Sequence, residues 1–363
     1  MKKELLWLAH RDPLNPRAGG AERTIAEIGY RLSNKGYDVT VMSAGWKGSK
    51  DHDSLRGFGI RRFGNSLSLH IYVPIYIMKN RPDIIVNDLG HAVPWPSSVL
   101  LRKKGIVFFR HLHARSLPGQ VTRLLAQSLT AVERCYFILY HNCRFITEST
   151  TSVSDLVGIG IRRSKIMKIP PGVDITIYRG SPKTKVPTLV YFGGLRKYKR
   201  PGEVVTLFRK VQEKVPKARL IIIGSGPELP HVKELVKSSE LTGSVTFTGR
   251  IPDENLASIV SSSWLNLHTS QTEGWGYSIL ESSAAGTPTV AYSVPGVVDT
   301  IEDGINGFKV KDNDQDAFVD AVLKILENPK PLWDSSRRVA EKYSWDDTAR
   351  LWDKAIREVL ANK

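Results

Sequence analysis

Apolar residues along this chain gather in short runs, and the stretches between the runs carry helical spacing. Runs at Glu4–Ala9, Asp38–Ser43, Asp83–Val86, Ile106–Phe109, Phe145–Thr147 and Ile166–Ile169 predict buried strands. Helical patterns over 21–35, 67–79, 121–140 and 149–158 lie between them, and Gly36 is placed to end the first. Pro170-Pro171-Gly172 breaks the alternation, and the polar stretch to Pro187 predicts a linker over 171–187. Strand patterns resume at Thr188–Phe192, Leu220–Ile223, Val245–Phe247, Leu265–His268 and Thr289–Tyr292. Helices are predicted to begin near Pro201, Glu228, Asp253, Tyr277 and Asp314. Strands alternating with helices imply parallel sheets covered on both faces, so the expected class is α/β with two doubly wound domains, 1–170 and 188–340. The tail 341–363 sets Ala349, Trp352, Ala355, Ile356 and Val359 on one face, which predicts a helix packing back toward the first domain.

The chain has 363 residues, 41% hydrophobic and 24% charged, enough to bury two cores and unlike a disordered or low-complexity protein. Its net charge of +16 is uneven. Residues 1–180 hold 27 basic and 13 acidic side chains, whereas 181–363 hold 25 and 23. The first half is therefore expected to face an anionic partner. Two cysteines, Cys135 and Cys143, imply core positions and no disulfide framework. No run reaches the length of a spanning helix, and the N-terminal apolar run is too short for a signal peptide. The expected setting is cytoplasmic, peripheral at the membrane face.

Ligands of doubly wound sheets sit outside the carboxyl ends of the strands, so the loops there carry the candidate chemistry. In Thr272–Glu281 (TEGWGYSILE), Gly274 and Gly276 allow close backbone approach. A helix starting near Tyr277 favours a phosphate at its N-terminus, and Glu273 and Glu281 are acceptors for vicinal hydroxyls. In Tyr191–Pro201 (YFGGLRKYKRP), glycines precede Arg196, Lys197, Lys199 and Arg200 in a phosphate-cradle pattern that is not a Walker loop. Ile223–Leu229 (IGSGPEL) places Gly224 and Gly226 in a turn before a proline-opened helix. Phe109–Gly119 (FRHLHARSLPG) offers His111 and His113 with Arg110 and Arg115 after a strand. Pro16–Glu22 (PRAGGAE) is a glycine turn without the full dinucleotide fingerprint. Each has a bland alternative: a helix cap, a solvated basic turn or a structural histidine.

Taken together, TEGWGYSILESSAAGTPTVAY with its following PGV, YFGGLRKYKRP, IIGSGPE and VTFTGRIPDENL resemble the donor half of the family 4 retaining glycosyltransferases of GT-B fold. GGAERTIAEIGYRLSNKGYDVTVMS resembles their acceptor half, and IPPGVD their interdomain junction, with Pro171 where asparagine is usual. The resemblance implies two Rossmann-like domains facing a central cleft. It implies that Glu273 meets the donor sugar's hydroxyls, with Gly274, Trp275, Gly276 and Tyr277 at the sugar and phosphates. Glu281 would bind the ribose, Lys199 would neutralise the leaving diphosphate, and Gly20, Gly194, Gly224 and Gly226 would approach the donor. Arg250 and Ser270 are further donor-site candidates. Gly194 stands where the family usually has arginine, and Arg196 is the candidate substitute. His111 matches the family histidine best; His113 competes with it, and Arg115 is second-rank beside it.

The implied reaction transfers a hexosyl unit from a nucleotide-diphosphate sugar to an acceptor hydroxyl, with retention, without a metal ion and without a further cofactor. Lys199, Arg196 and the helix start would stabilise the leaving charge. Arg61, Arg62, Arg102, Lys103, Lys104, Arg110, Arg115 and Arg123 lie among Trp95, Leu100, Leu101, Phe108 and Phe109, and 67–80 is an apolar helical stretch. These suit an anionic membrane surface and a lipid-linked or phosphorylated glycan acceptor in envelope or glycoconjugate synthesis. Competing readings are a nucleotide-sugar epimerase or phosphorylase on the same fold, or a basic nucleic-acid-binding protein. No nucleic-acid partner is expected, because no recognition signature is present.

Overall fold

A computed structural model describes residues 2–91, 93–96, 105–115, 121–178 and 180–361, with the side chains of Arg115 and Phe137 outside the description. The chain divides into two compact units. One runs to Gly172 and also includes the helix from Trp345; the other is Val173–Ser344.

The first unit is an eight-stranded sheet. Its strands are β1 (Lys3–Leu8), β2 (Tyr37–Ser43), β3 (His52–Leu55), β4 (Phe58–Arg62), β5 (Ile84–Leu89), β6 (Ile106–Phe109), β7 (Arg144–Thr147) and β8 (Ile166–Lys168), in the order β3-β4-β2-β1-β5-β6-β7-β8. All pairings are parallel except the β3–β4 hairpin, an edge that the expectation of a wholly parallel sheet missed. Its HDSL strand alternates polar and exposed positions, so no apolar run marks it. The order reverses between β1 and β5: the chain leaves β1 toward β2 on one side and resumes at β5 on the other.

Its described helices are α1 (Gly20–Asn34), α2 (Leu69–Asn80), α3 (Arg123–Arg134), α4 (Tyr136–Leu139) and α5 (Thr150–Gly158). The single helix expected over 121–140 is broken at Cys135, which is exposed rather than in the core; Cys143 is buried, and both thiols are free. Arg62, Arg110, Trp95, Phe108 and Phe109, expected on a basic docking surface, are buried. Arg62 is paired with Asp12, and Arg110 with Asp88 and Glu148. Leu100, Leu101, Arg102, Lys103 and Lys104 lie outside the described residues.

The second unit is a six-stranded parallel sheet of β9 (Thr188–Phe192), β10 (Arg219–Ile223), β11 (Val245–Gly249), β12 (Leu265–His268), β13 (Thr289–Tyr292) and β14 (Gly307–Val310), ordered β11-β10-β9-β12-β13-β14. Its reversal falls between β9 and β12. Leu189 and Tyr191 face one buried layer, and Val190 and Phe192 the other, so β9 is buried on both faces. The covering helices are α6 (Pro201–Lys214), α7 (Leu229–Ser238), α8 (Asp253–Ser262), α9 (Tyr277–Ala284), α10 (Gln315–Glu327) and α11 (Lys330–Ala340). β14 and α11 were not anticipated; the half-buried GFKV strand and the charged KPLWDSSRRVA helix carry weak patterns.

Residues 173–187 are not a free linker. Val173, Ile175, Ile177 and Tyr178 pack into the second unit's core. The buried Lys183 ammonium donates to Ser263 O at 2.7 Å, Gly286 O at 3.0 Å and Thr287 Oγ1 at 2.8 Å. The tail helix, α12, spans Trp345–Ala361 within the expected tail 341–363 and belongs to the first unit. Trp352 stacks on Trp7 at 4.9 Å between ring centroids and meets Phe108 edge-on at 4.9 Å. Tyr37 OH donates to Asp353 Oδ1 at 2.7 Å.

Trp352 is fully buried, so Trp352→Ala should destabilise the first unit by about 3–5 kcal/mol. Urea unfolding followed by near-ultraviolet circular dichroism should show a lowered first-unit transition; an unchanged midpoint would contradict the packing of α12.

Candidate functional site

The loops after β9 and β12 meet at the reversal point of the second sheet, where an open α/β sheet leaves a crevice at its strand ends. Lys199 closes a short 3-10 turn, 197–199, after β9, and Glu273 lies in the loop between β12 and α9. Lys199 Nζ stands 2.6 Å from Glu273 Oε1. Ser270 Oγ donates to the same oxygen at 2.7 Å, and His268 Nε2 lies 3.4 Å from it. All of these contacts fall on Oε1; among the described residues no group is bonded to Oε2. The carboxylate is thus fixed through one oxygen and presents the other.

Burial opposes the charge on Glu273, but Lys199 and then His268 outweigh it and hold the carboxyl well below its usual range. Burial likewise opposes the Lys199 ammonium, and Glu273 more than offsets it. The pair is ionised at neutral pH. The Tyr191 hydroxyl is buried near these charges with no hydrogen-bond partner among the described residues, and burial pushes it up.

The supporting backbone is tightly determined. Gln271 N–H donates to Tyr198 O at 2.8 Å, and Thr269 Oγ1 donates to the carbonyls of Lys199 and Arg200. Glu273 N–H donates to Pro295 O at 3.0 Å, and a Cβ on Gly296 would stand 2.3 Å from Glu273 O. Gly276, at φ +89°, caps α9, so the first N–H groups of that helix face the same loop.

The expected residues fall into three groups. Lys199, Ser270, Glu273, Gly274, Gly276 and Tyr277 come together at the reversal point, with Glu281 one turn into α9. Arg196 is exposed and lies over Gly194, its Nε 3.8 Å from where a Cβ of residue 194 would stand. Arg250 follows edge strand β11, two strands from the crevice. Gly224 and Gly226 have a structural reason to be glycine: a Cβ would stand 2.0 Å from Gly193 O and 2.3 Å from Leu195 O. They lock the two glycine loops together, with Leu195 N–H donating to Ser225 O at 2.9 Å. The Trp275 side chain is core, edge-on to Tyr343. His268 and Gly296 were missed; the signal for His268 was a histidine ending an apolar strand.

In the first unit, Gly20 opens α1 after β1, and Gly19 N–H donates to Glu22 Oε2 at 2.8 Å. The two histidines after β6 now differ. His113 is buried and anchored, with Nδ1 3.0 Å from Glu133 Oε1 and its backbone N–H donating to the same oxygen at 2.7 Å. His111 is half-buried, its ring 4.8 Å from that of His113. The Arg115 side chain lies outside the described residues. Asp-x-Asp spacing, a frequent metal signature, occurs at Asp51/Asp53 and across Asp312, Asp314 and Asp316. Asp53, Asp312 and Asp316 are paired with Arg62, Arg200 and Lys210, and Asp314 caps α10.

Two family models divide the chain: Glycosyltransferase Family 4 matches residues 18–177, and Glycosyl transferases group 1 matches 176–344. The chain belongs to the family 4, group 1 glycosyltransferases. It is 25% identical to a GDP-mannose-dependent alpha-(1-6)-phosphatidylinositol monomannoside mannosyltransferase of Mycobacterium tuberculosis, over 86% of each chain. It is 23% identical to a phosphatidylinositol N-acetylglucosaminyltransferase subunit of Arabidopsis thaliana, over 94% of this chain and 80% of that one. Among solved structures, sucrose-phosphate synthase from Thermosynechococcus elongatus superposes with a TM-score of 0.86 at 20% identity, covering 100% of both chains. HepE of Anabaena, solved with UDP and glucose, superposes with 0.77 at 17% identity, over 98% of this chain and 100% of that one. The fold of this glycosyltransferase is therefore GT-B, built on two parallel-sheet α/β domains.

Lys199→Met would leave Glu273 without its cation. Because both groups keep some water, the cost should be about 2–3 kcal/mol, below the ~3–5 of a fully enclosed pair. The Glu273 pKa is lowered on folding, so the pair contributes fully above the unfolded carboxyl value near ~4.3 and progressively less as pH falls below it. Urea midpoints of wild type and variant should differ at pH 7 and converge below about pH 4. A gap unchanged at pH 3 would contradict the assignment.

Proposed function

We propose that this glycosyltransferase moves a hexosyl unit from a nucleotide-diphosphate sugar to a hydroxyl of a lipid-linked or phosphorylated glycan, with retention of configuration and without a metal ion. The observation that carries the donor half is the Glu273 carboxylate, held through Oε1 and open at Oε2, beside Lys199 and the N-terminus of α9. Oε2 suits a sugar hydroxyl as acceptor of its hydrogen bond. Lys199 and the helix start suit a diphosphate, whose charge grows as the sugar–phosphate bond breaks. Glu281 and Arg196 complete the donor contacts in this reading, on ribose and phosphate. His111, less enclosed than the anchored His113, is the histidine assigned to the reacting sugar. Both named relatives act on phosphatidylinositol-based lipids by name, which favours a lipid-linked acceptor here.

The peripheral-membrane part of the proposal rests on α2. That helix buries only Leu69, Val73 and Ile77, while Leu67 just before it and Ile71, Tyr72, Ile75 and Met78 within it are exposed. Arg61, Lys79 and Arg81 are exposed nearby in chain or space, with Arg61 set over the Tyr76 ring. An apolar face rimmed by cations suits an anionic leaflet. Among the described residues no helix is long and apolar enough to cross a membrane.

A thermal-shift screen against UDP, GDP, ADP and their sugar conjugates, in EDTA, tests the donor half. One nucleotide family at ~100 times its dissociation constant should add about 2.7 kcal/mol of stability. No shift from any nucleotide, or a shift only after divalent metal is restored, would contradict the reading. With the donor identified, Lys199→Met should lower turnover on the order of 10²–10³-fold. For the membrane, sedimentation with anionic vesicles should fall sharply in Ile71→Glu/Ile75→Glu; equal sedimentation would remove α2 from the docking face.

A further inference from the structure

Arg200 shares the basic turn after β9 with Arg196, Lys197 and Lys199, but its guanidinium is engaged by the protein itself. Nη1 donates to Asn313 Oδ1 at 2.7 Å, and Nη2 donates to Asp312 Oδ1 at 2.5 Å. Nη2 also lies 3.4 Å from Ser270 O, and Nη1 lies 3.6 Å from Glu203 Oε2. The guanidinium carbon sits over the Tyr292 ring, 5.1 Å from its centroid, and Tyr292 OH donates to Glu203 Oε1 at 2.6 Å. Tyr292 ends β13, and Asp312 and Asn313 follow β14. One side chain thus ties the turn after β9 to the ends of β12, β13 and β14, the three strands that follow it in the sheet. With Asp312 and Glu203 facing it, its charge is already answered.

The backbone of the same residue is strained. Arg200 adopts φ +48° and ψ +49°, the left-handed region, which a side chain beyond glycine occupies at a cost. Pro201 follows and favours an extended residue before it. Such a conformation persists where the surroundings over-determine it, and it marks a place where position matters. Arg200 is the joint between the turn 197–199 and helix α6, so its dihedrals set the direction in which Lys199 leaves that helix. Thr269 Oγ1 holds the joint from one side, through the carbonyls of Lys199 at 2.9 Å and Arg200 at 3.0 Å. The guanidinium holds it from the other. Its contact at Ser270 O belongs to the residue whose hydroxyl also donates to Glu273 Oε1, the oxygen that Lys199 meets.

We propose that Arg200 is a positioning residue for Lys199. Its guanidinium clamps a left-handed turn against the loops after β12 and β14, and this holds the Lys199 ammonium on Glu273, where the leaving diphosphate forms. The bearing on turnover rests on the donor reading above; the clamp on Lys199 does not.

The first test needs no substrate. Arg200→Gly removes the guanidinium and keeps φ +48° without strain, so the variant should fold. Brief acetylation with acetic anhydride, read by mass spectrometry, should modify Lys199 on the order of fivefold faster in Arg200→Gly than in wild type. The exposed Lys217 should react equally in both. The second test is a double-mutant cycle on donor hydrolysis, following UDP or GDP released from UDP-glucose, UDP-N-acetylglucosamine and GDP-mannose. Arg200→Gly should lower kcat on the order of tenfold or more and leave KM nearly unchanged. In a Lys199→Met background the same substitution should change kcat by less than about twofold, because the residue it acts through is gone. Unchanged acetylation of Lys199, or an equal fall in kcat in both backgrounds, would overturn the assignment. Should Arg200→Gly fail to fold, Asp312→Ala cuts the tie at its far end, and the same two outcomes decide. Turnover of none of the donors by wild type would count against the transferase reading alone, and the acetylation of Lys199 would still decide the clamp.

Discussion

The second unit depends on a single constraint, the enclosure of the Glu273 carboxylate. A carboxylate placed there must be compensated, and Lys199, Ser270 and His268 do so from the ends of two adjacent strands, all on one oxygen. That requirement explains the neighbourhood. β9 and β12 have to be neighbours although three helices and two strands separate them in sequence. The backbone after β9 has to be threaded by the loop after β12, which Gln271 and Thr269 accomplish. Gly296 has to be glycine because Pro295 O accepts the Glu273 N–H and a Cβ at 296 would then stand 2.3 Å from Glu273 O. The open Oε2 is what remains for chemistry after these demands are met.

The two units share an architecture and differ in electrostatics. The reversal point of the second sheet holds an ion pair, whereas that of the first holds neutral imidazoles. In the first unit the charges sit deeper and are structural: Arg62 with Asp12, and Arg110 with Asp88 and Glu148. Two arginines, Arg62 and Arg110, are buried there against five carboxylates, Asp12, Glu22, Asp88, Glu133 and Glu148, so the described surface of the first half keeps its basic excess. What remains outside includes the exposed apolar side of α2, on which the proposed leaflet contact rests.

Most strands were legible because parallel strands buried on two faces read as continuous apolar runs, as TLVYF and IVFF do. The edge strand HDSL is half exposed and carries no such run. The segment 173–187 read as a linker because its polar residues outnumber its apolar ones; Ile175, Ile177 and Tyr178 nonetheless pack, and Lys183 finds three acceptors that only the fold supplies. Glu273 and Lys199 were legible from their motifs, 74 residues apart, but their contact was not. Gly224 and Gly226 were read as ligand-facing glycines, and steric contact with the neighbouring loop gives them a different purpose. Burial also separates His113 from His111, between which the resemblance gave only a preference for His111.

The central claim is that Glu273 meets the sugar of the donor rather than its nucleotide. Isothermal titration of wild type and Glu273→Gln with a nucleotide sugar and with the matching nucleoside diphosphate separates the two. The account predicts that the substitution weakens the sugar conjugate on the order of tenfold or more while the free diphosphate binds nearly as before. Equal loss for both ligands, or no loss for either, would contradict it.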